Sequence, residues 1–458
     1  MKAWIDTLRS PRPSSDLEEI RLRSTALFRA EQSQDLRDVI AEKIEDLRHY
    51  DVLAMERVVA ILSWGRSGSL LLSSYLDGHD DVMMLPQICG TRLYEFFERY
   101  PSLPLGDKLI AYPAFEPHYY GRFFDGDFAI SPAQYYAAVQ AILEFVGKEP
   151  PEFVESRRAF FLFMHIAYHL ALGRRPASSQ PLIVYAQHVW NNEVARQLVE
   201  DFPQAKFVHT VRDPISSCDG MFHFTFGTLS EPFPRTYTKA PYTALFYLPD
   251  QDRPHSGMES RTRTIRFEDL HSDTAGTMRD LADWLGLPFS ATLLDSTFNG
   301  IPWVVTRDGK AWSGRRLEQA QRNSRNLSPK DRALLFALFY ENFVDWNYPC
   351  PKIFGNPIVR FIVFVSLTPF PMEMELIAAR AVFKRWILPS LRRGKIWTAI
   401  KSFLGIGFYR LKIIGLLAPA FFRRFAYGTT LLQVDHKGRP LERRDDCALA
   451  ATNETTFD

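Results

Sequence analysis

The sequence predicts an α/β fold, a central parallel sheet flanked by helices, followed by a helical, basic and apolar C-terminal extension. Three observations predict it. Segments that read as strands at about 57–63, 182–187, 206–211 and 263–267 alternate with helical stretches, as parallel strands joined by crossovers do. The first run ends in a Gly- and Ser-rich turn that opens a leucine-rich helix. Beyond residue 355 the composition shifts to apolar runs studded with Lys and Arg. At 458 residues and 46% hydrophobic content, the chain exceeds one usual domain and can bury a sizeable core. The expected division is a helical N-terminal segment (1–54), an α/β domain (55–354), a basic amphipathic helical extension (355–434) and a polar, disordered tail (435–458).

Taken in order, Asp35 to Arg48 reads as a helix with charged faces that covers the core or a cleft. Val58 to Ser63 reads as a buried strand, Trp64-Gly65-Arg66-Ser67-Gly68-Ser69 as a phosphate-sized loop, and Leu70-Leu71-Leu72 as the helix that follows. Unpaired N–H groups and the positive dipole end at a helix start attract an anion. Gly65 and Gly68 permit close approach, Ser67 and Ser69 add hydroxyls, and Arg66 adds a fixed positive fork. No Lys follows Gly68, and Ser63 stands where a nucleotide-binding P-loop needs its first Gly. The dinucleotide fingerprint is absent too. Asn192 to Asp201 reads as a helix, Lys206 to Val211 as a buried strand, and Arg212-Asp213-Pro214 stops it. Later come Ile265-Arg266-Phe267-Glu268-Asp269-Leu270, a helix from Met278 to Trp284, and Leu285-Gly286-Leu287-Pro288-Phe289. Next are Asn299-Gly300-Ile301-Pro302-Trp303 and a basic stretch, Gly309-Lys310-Ala311-Trp312-Ser313-Gly314-Arg315-Arg316. Ser328 and Pro329 suit the N-cap and first position of a helix.

These segments, in this order over about 290 residues, resemble the sulfotransferases that use 3′-phosphoadenosine 5′-phosphosulfate (PAPS), in particular the bacterial and carbohydrate types. The resemblance implies their P-loop-like fold over about residues 55–350 and says nothing of 355–458. It implies that Arg66, Ser67, Gly68 and Ser69 bind the 5′-phosphosulfate, and that Arg212 binds the 3′-phosphate. The family usually places a Ser eight residues after that Arg; here the position is Gly220, with Ser216 and Ser217 as nearby substitutes. Lys310, Gly314 and Arg315 fall in the loop that folds over the 3′-phosphate and adenine. The implied reaction is in-line attack of an acceptor oxygen on sulfur, carried mostly by positioning and electrostatics, with no metal. Arg66 would stabilise the leaving oxygen. His188, between the strand Leu182–Ala186 and a helix, is the first choice of base. Related enzymes often carry Lys-x-Pro-x-His there, whereas this chain has Tyr185-Ala186-Gln187-His188.

Plainer readings stand beside these. Arg266 to Asp269 also suits a structural strand end, and Arg212 a strand-ending ion pair. Ser216 and Ser217 also suit capping of the helix after Pro214, and His188 a capping role. Trp303 and Trp312 fit core packing as well as adenine stacking. His79 reads as structural, and Glu193 and Asp213 are further candidate bases. A non-catalytic, membrane-associated nucleotide-binding or scaffold protein of the same fold is the alternative function. Gly220 supports it, as does Leu70, where the family often has Thr or Ser. A kinase is disfavoured by the absent Gly-Lys-Ser/Thr.

The overall charge of +2 hides an asymmetry: residues 355–428 hold 12 Lys/Arg against 2 Asp/Glu. Their apolar runs, such as Ile358 to Leu367 and Ile413 to Phe422, are shorter than the roughly 20 residues of a membrane span. Pro369, Pro371, Pro389 and Pro419 are expected to interrupt them, and Lys384-Arg385, Arg392-Arg393 and Arg423-Arg424 flank them. Short amphipathic helices with basic rims suit peripheral attachment to a membrane surface; packing on the core or an oligomer contact is the alternative. The N-terminus lacks a signal-peptide core, and Cys89, Cys218, Cys350 and Cys447 form no metal or redox motif. A cytoplasmic protein, peripheral to the inner membrane face, is therefore expected. The expected partner is a hydroxyl-bearing small molecule, saccharide or lipid rather than nucleic acid, with oligomerisation left open. The aromatic-rich stretches Gly90–Glu149 and Phe222–Pro249 are expected to line the acceptor pocket.

Overall fold

A computed structural model describes residues 17–18, 20, 24–25, 28, 35–63, 67–85, 92–115, 123–124, 127–147, 149–187, 192–227, 259–307, 310–320 and 327–427. Its centre is a five-stranded parallel sheet: β1 (Val58–Ser63), β2 (Val82–Met84), β3 (Leu182–Gln187), β4 (Lys206–Val211) and β5 (Thr262–Arg266). The order is β2-β3-β1-β4-β5. β1 is covered on both faces, with Val58, Ala60 and Leu62 in one hydrophobic cluster and Val59 and Ile61 in another. That is why its sequence is continuously apolar rather than alternating. The four expected strands are present; β2, three residues long, was not foreseen because it is too short to show a period.

Helix α1 (Arg37–Leu47) precedes β1, and between the strands run α2 (Ser69–Leu76), α3 (Leu93–Arg99), α4 (Leu105–Phe115), α5 (Pro132–Val146), α6 (Arg157–Ala171) and α7 (Asn192–Asp201). Then come α8 (Pro214–Gly227), α9 (Phe267–Ser272) and α10 (Thr274–Leu285). Helices α1 and α3 to α7 bury one face of the sheet, while α2, α9 and α10 bury the other. α6 is the centre of the first layer: every side chain from Ala159 to Ala171 is buried, including the two histidines His165 and His169. The aromatic-rich stretch expected to line an acceptor pocket is largely part of this core. Tyr94, Phe96, Tyr112, Phe115 and Tyr135 are buried, and Phe96 meets Phe115 edge-on at 5.0 Å. Composition alone does not separate a ring that packs from one that binds. Residues 228–249, the rest of that expectation, lie outside the described residues.

Two small hairpins follow, β6 (Thr297–Phe298) with β7 (Ile301–Pro302), and β8 (Val304–Arg307) with β9 (Lys310–Ser313). The first turns through Asn299 and Gly300, both left-handed (φ 55° and 74°), and the buried Asp77 carboxylate accepts both of their amides at 3.1 and 3.0 Å. His79 is structural as expected, with Nε2 2.8 Å from the Pro288 carbonyl and Nδ1 accepting the Asp81 amide.

The C-terminal part is helical: α11 (Pro329–Asp345), α12 (Pro357–Leu367), α13 (Glu373–Val382), α14 (Leu388–Arg392) and α15 (Ile396–Tyr427). α11 starts at the Ser328 N-cap with Pro329 and a reciprocal Asp331 bond, as its sequence predicts. A third cluster runs from Val211, Ile215 and Cys218 through Leu334, Phe343 and Trp346 to Phe364, Met372, Leu417 and Phe421. The extension therefore packs on the α/β domain. Asp331 accepts the Glu373 amide at 3.0 Å, and buried Glu375 pairs with Arg410 at 2.7 Å. Pro419 does not interrupt its run; it lies inside the 32-residue α15. Proline has no N–H to donate to the Gly415 carbonyl four residues before it, and Gly415 is an exposed residue. Among the described residues, no helix is long and apolar enough to cross a membrane.

Candidate active site

The carboxyl edge of the sheet gathers the loops singled out in the sequence. β1 pairs with β3 (Leu62 opposite Gln187) and with β4 (Ser63 opposite Thr210), and β4 with β5 (Val211 opposite Arg266). The loops after all four strands therefore leave from one line. Arg66 and His188 lie outside the described residues. Ser67, Gly68, Ser69, Arg212, Ser216, Ser217, Gly314 and Arg315 are described, as is the backbone position of Lys310 opposite Arg307 at the start of β9.

Gly68 precedes α2 with φ 95°, and no side chain caps the helix. The Leu72 amide returns to the Gly68 carbonyl at 3.0 Å, which leaves the Ser69, Leu70 and Leu71 amides at the open end without helical acceptors. The Ser67 hydroxyl is engaged elsewhere. It lies 2.8 Å from Thr210 Oγ1, which is itself placed to donate to the Leu62 carbonyl at 3.4 Å. Ser67 thus ties the loop to β4, and its anion-facing chemistry is confined to its amide.

Phe267 joins this loop to Arg212. A Cβ at Gly68 would stand 2.5 Å from Phe267 Cδ2, so only glycine lets the loop settle on the ring. The Arg212 guanidinium lies 4.3 Å from the centroid of the same ring and is 9% exposed. One aromatic wall therefore sets a buried cation beside an uncapped helix start. Neither the one-residue contact nor its partner was legible in the sequence, where Phe267 reads as strand-end packing.

The rest of Arg266-Phe267-Glu268-Asp269 is structural. Arg266 grips Asp269 through two 2.8 Å bonds and donates to the Asn347 carbonyl at 3.0 Å. Glu268 accepts the Tyr348 hydroxyl at 2.6 Å and the Asp213 amide at 3.3 Å, so it holds the Arg212 turn in place. Burial pushes the Glu268 carboxyl up from its ordinary value, and Tyr348 and Arg212 oppose that shift.

Asp213, not a serine, caps α8, accepting the Ser216 amide at 2.7 Å. The capping role considered for Ser216 and Ser217 is thereby filled by the residue before Pro214. The Ser217 hydroxyl is fully buried and has no hydrogen-bond partner among the described residues. Glu193, the other candidate base, is held by Arg196 on an exposed helix face.

The basic hairpin reaches the same place. Arg315 donates to the carbonyls of His271 and Ser272 at the end of α9, at 2.9 and 3.0 Å, and the Arg316 amide donates to His271 Nδ1 at 3.0 Å. Gly314, at φ 63°, brings the backbone over α2: a Cβ there would be 3.4 Å from the Tyr75 hydroxyl. His271 stands edge-on to Phe267 at 4.5 Å. Burial, then Arg212 and Arg315, lower its pKa to about 4, so it is neutral near pH 7 between two cations. Trp312 lies under the Arg316 guanidinium at 4.2 Å, and Trp303 packs edge-on against Phe298 at 5.5 Å, the core reading. Among the described residues, no group of three or more His, Cys, Asp or Glu side chains is placed to hold a metal ion.

The family model described as "Sulfotransferase family" matches residues 59–291, just over half of the chain. The chain belongs to the sulfotransferase family. The matched span contains the Gly68 loop, Arg212 and the Phe267 wall, and ends before the basic hairpin and the extension. Among solved structures, this sulfotransferase is similar to the sulfotransferase domain from the curacin biosynthetic pathway, at 22% identity over 52% of this chain and 76% of that one (TM-score 0.28). It is also similar to the sulfotransferase domain of the Synechococcus PCC 7002 olefin synthase, at 18% identity over 64% and 95% (TM-score 0.37). A third, sulfotransferase STF9 from Mycobacterium avium, has 12% identity over 68% and 82% (TM-score 0.33). No curated protein matches.

Proposed function

We propose that this sulfotransferase moves the sulfuryl group of PAPS to a hydroxyl of a saccharide or glycolipid acceptor, without a metal. The observation that carries the donor is the shared Phe267 wall: it sets the uncapped start of α2 and the Arg212 cation side by side. A nucleotide bearing separate 5′ and 3′ phosphate groups needs two anion sites at one edge. The Ser67, Gly68 and Ser69 amides with Arg66 form the first in this reading, and Arg212 with the Ser217 hydroxyl forms the second. The unsatisfied Ser217 hydroxyl supports it, since a buried group of that kind costs about 1–3 kcal/mol unless a partner arrives. Lys310, Gly314 and Arg315 cover the nucleotide; Arg315 acts through its position at the end of α9, where its bonds to two carbonyls fix the hairpin.

Bound there, the donor supplies a sulfuryl group on an anhydride oxygen. The acceptor oxygen forms a bond to sulfur as the bond from sulfur to the phosphate oxygen breaks. His188 takes the acceptor's proton, while Arg66 and the helix-start amides hold the charge that grows on the leaving phosphate. His271, uncharged near neutrality, leaves the local field to the arginines. Peripheral attachment to a membrane surface through 355–428 completes the proposal and brings the enzyme to a lipid-borne acceptor.

Thermal melts with 3′-phosphoadenosine 5′-phosphate test the donor site. Ligand at about a hundred times its Kd should stabilise the fold by about 2.7 kcal/mol. The upward shift in Tm should persist in EDTA and be much smaller with 5′-AMP. Equal shifts with both nucleotides, or a shift that EDTA abolishes, would contradict it.

A further inference from the structure

The outward surface of the extension carries an ordered row of exposed apolar side chains that implies a partner. Among the described residues, 22 large hydrophobic side chains are exposed, and 14 of them fall between Ile358 and Phe422. On α12, Ile358, Phe361, Ile362 and Val365 occupy i, i+3, i+4 and i+7, one stripe of the helix, while Phe364 behind them is 4% exposed. On α15, Ile396, Trp397, Ile400, Phe403, Leu404 and Leu411 are exposed, and at 3.6 residues per turn they fall within an arc of about 120°. The two stripes are continuous: Phe361 and Phe422 meet at 6.3 Å. Trp397 is 66% and Phe403 65% exposed, which is costly surface for a domain with a complete core beneath it.

Charge selects the occupant. Arg392, Arg393, Lys395 and Lys401 are exposed around the start of α15, and Lys401 Nζ stands 5.6 Å over the Trp397 ring. The two acidic residues of 355–428 are engaged, buried Glu375 with Arg410 and Glu373 with Arg380. A second copy docked on this face would set two basic rims against each other. An anionic lipid surface would take the apolar stripe into its interface and the rim onto its phosphates. α15 is about 48 Å long by its 32 residues, more than the bilayer core, yet it is not apolar enough to cross. Such a helix lies along the interface.

We propose that α12 and α15 form a docking face for an anionic bilayer, with Trp397 and Phe403 inserted and Arg392, Arg393, Lys395 and Lys401 on headgroup phosphates. The inference rests on the membrane seat of the preceding section and adds the lipid charge and the residues that meet it. Flotation of the full chain with vesicles of phosphatidylcholine, alone or mixed with phosphatidylglycerol, tests it. Binding to the mixture should be at least about tenfold tighter and should weaken steeply with salt. W397E/F403E should lose about tenfold or more of it with nucleotide binding intact, and R392Q/R393Q/K395Q/K401Q should bind both vesicles alike. Equal, salt-insensitive binding of wild type to both vesicles would overturn the anionic face and leave the membrane seat. Binding to neither would overturn both, and a dimer that W397E/F403E dissociates, with no vesicle binding, would reassign the face to a second copy.

Discussion

Gly68 and Phe267 decide where the Gly68 loop and Arg212, the two proposed anion sites, stand relative to each other. An L-residue at Gly68 meets both a left-handed backbone and the Phe267 ring 2.5 Å from its Cβ. Gly68→Ala should therefore cost about 1–2 kcal/mol in backbone terms alone, read as a lower urea midpoint, and should weaken 3′-phosphoadenosine 5′-phosphate binding at the same time. Phe267→Leu keeps an apolar wall but removes the ring face under Arg212, a contact of about 1–2 kcal/mol when desolvated. Calorimetry should find a loss of about tenfold for the 3′-phosphorylated nucleotide and little change for 5′-AMP. A similar loss for both would mean that the ring positions the loop rather than the arginine. Arg212 itself was legible, because Arg-Asp-Pro at a strand end is a local pattern. Its contact with Phe267 was not, since it joins residues 55 positions apart through strand pairing.

Among the elements, the continuous apolar runs of β1 and β3 were plain, because a strand covered on both faces has no polar side to hide, whereas the Thr- and Arg-bearing β5 was legible only through its resemblance to a family strand. The Ser328–Pro329 start of α11 was equally plain. What that helix start also does was not visible: Asp331 accepts both the Ser328 amide and the Glu373 amide, tying the extension to the α/β domain. Asp331→Ala removes a cap and leaves two amides unserved, which should cost about 1–3 kcal/mol. Chemical unfolding should show it, and α13 to α15 should gain proteolytic sensitivity before the sheet does. The described rings of Gly90–Glu149 pack into the core, which their sequence pattern does not reveal, for a related reason. Rings at helical spacing look the same whether they face a ligand or, as Phe96 and Tyr112 do, one another.

For the whole molecule, four histidines set the acid limit of stability. Burial lowers His165, His209 and His271 to about 4 and His169 to about 3, against an ordinary value near 6.5. The unfolded chain therefore binds more protons than the folded one between about pH 6.5 and 4, so stability falls as the pH is lowered through that window. Glu268 and Glu375, pushed up by burial, act in the opposite sense. Melting curves should show Tm falling from pH 7 to pH 5. A Tm that is level or rises over that range would contradict the buried, neutral state of these rings. The extension's two faces belong to this scale too: the inner one closes the third cluster, while the outer one carries the exposed stripe that composition had already marked as basic and apolar.

In the proposed function, one 3′-phosphonucleotide spans the Gly68 loop and Arg212. Calorimetric titration of 3′-phosphoadenosine 5′-phosphate into wild type, Arg66→Ala and Arg212→Ala, with and without EDTA, tests it most directly. Wild type should bind tightly with and without EDTA, and binding should fall at least about tenfold in each variant, as expected for loss of a charge-assisted bond. Folded wild-type protein that does not bind, or that binds as well without Arg212, would contradict it.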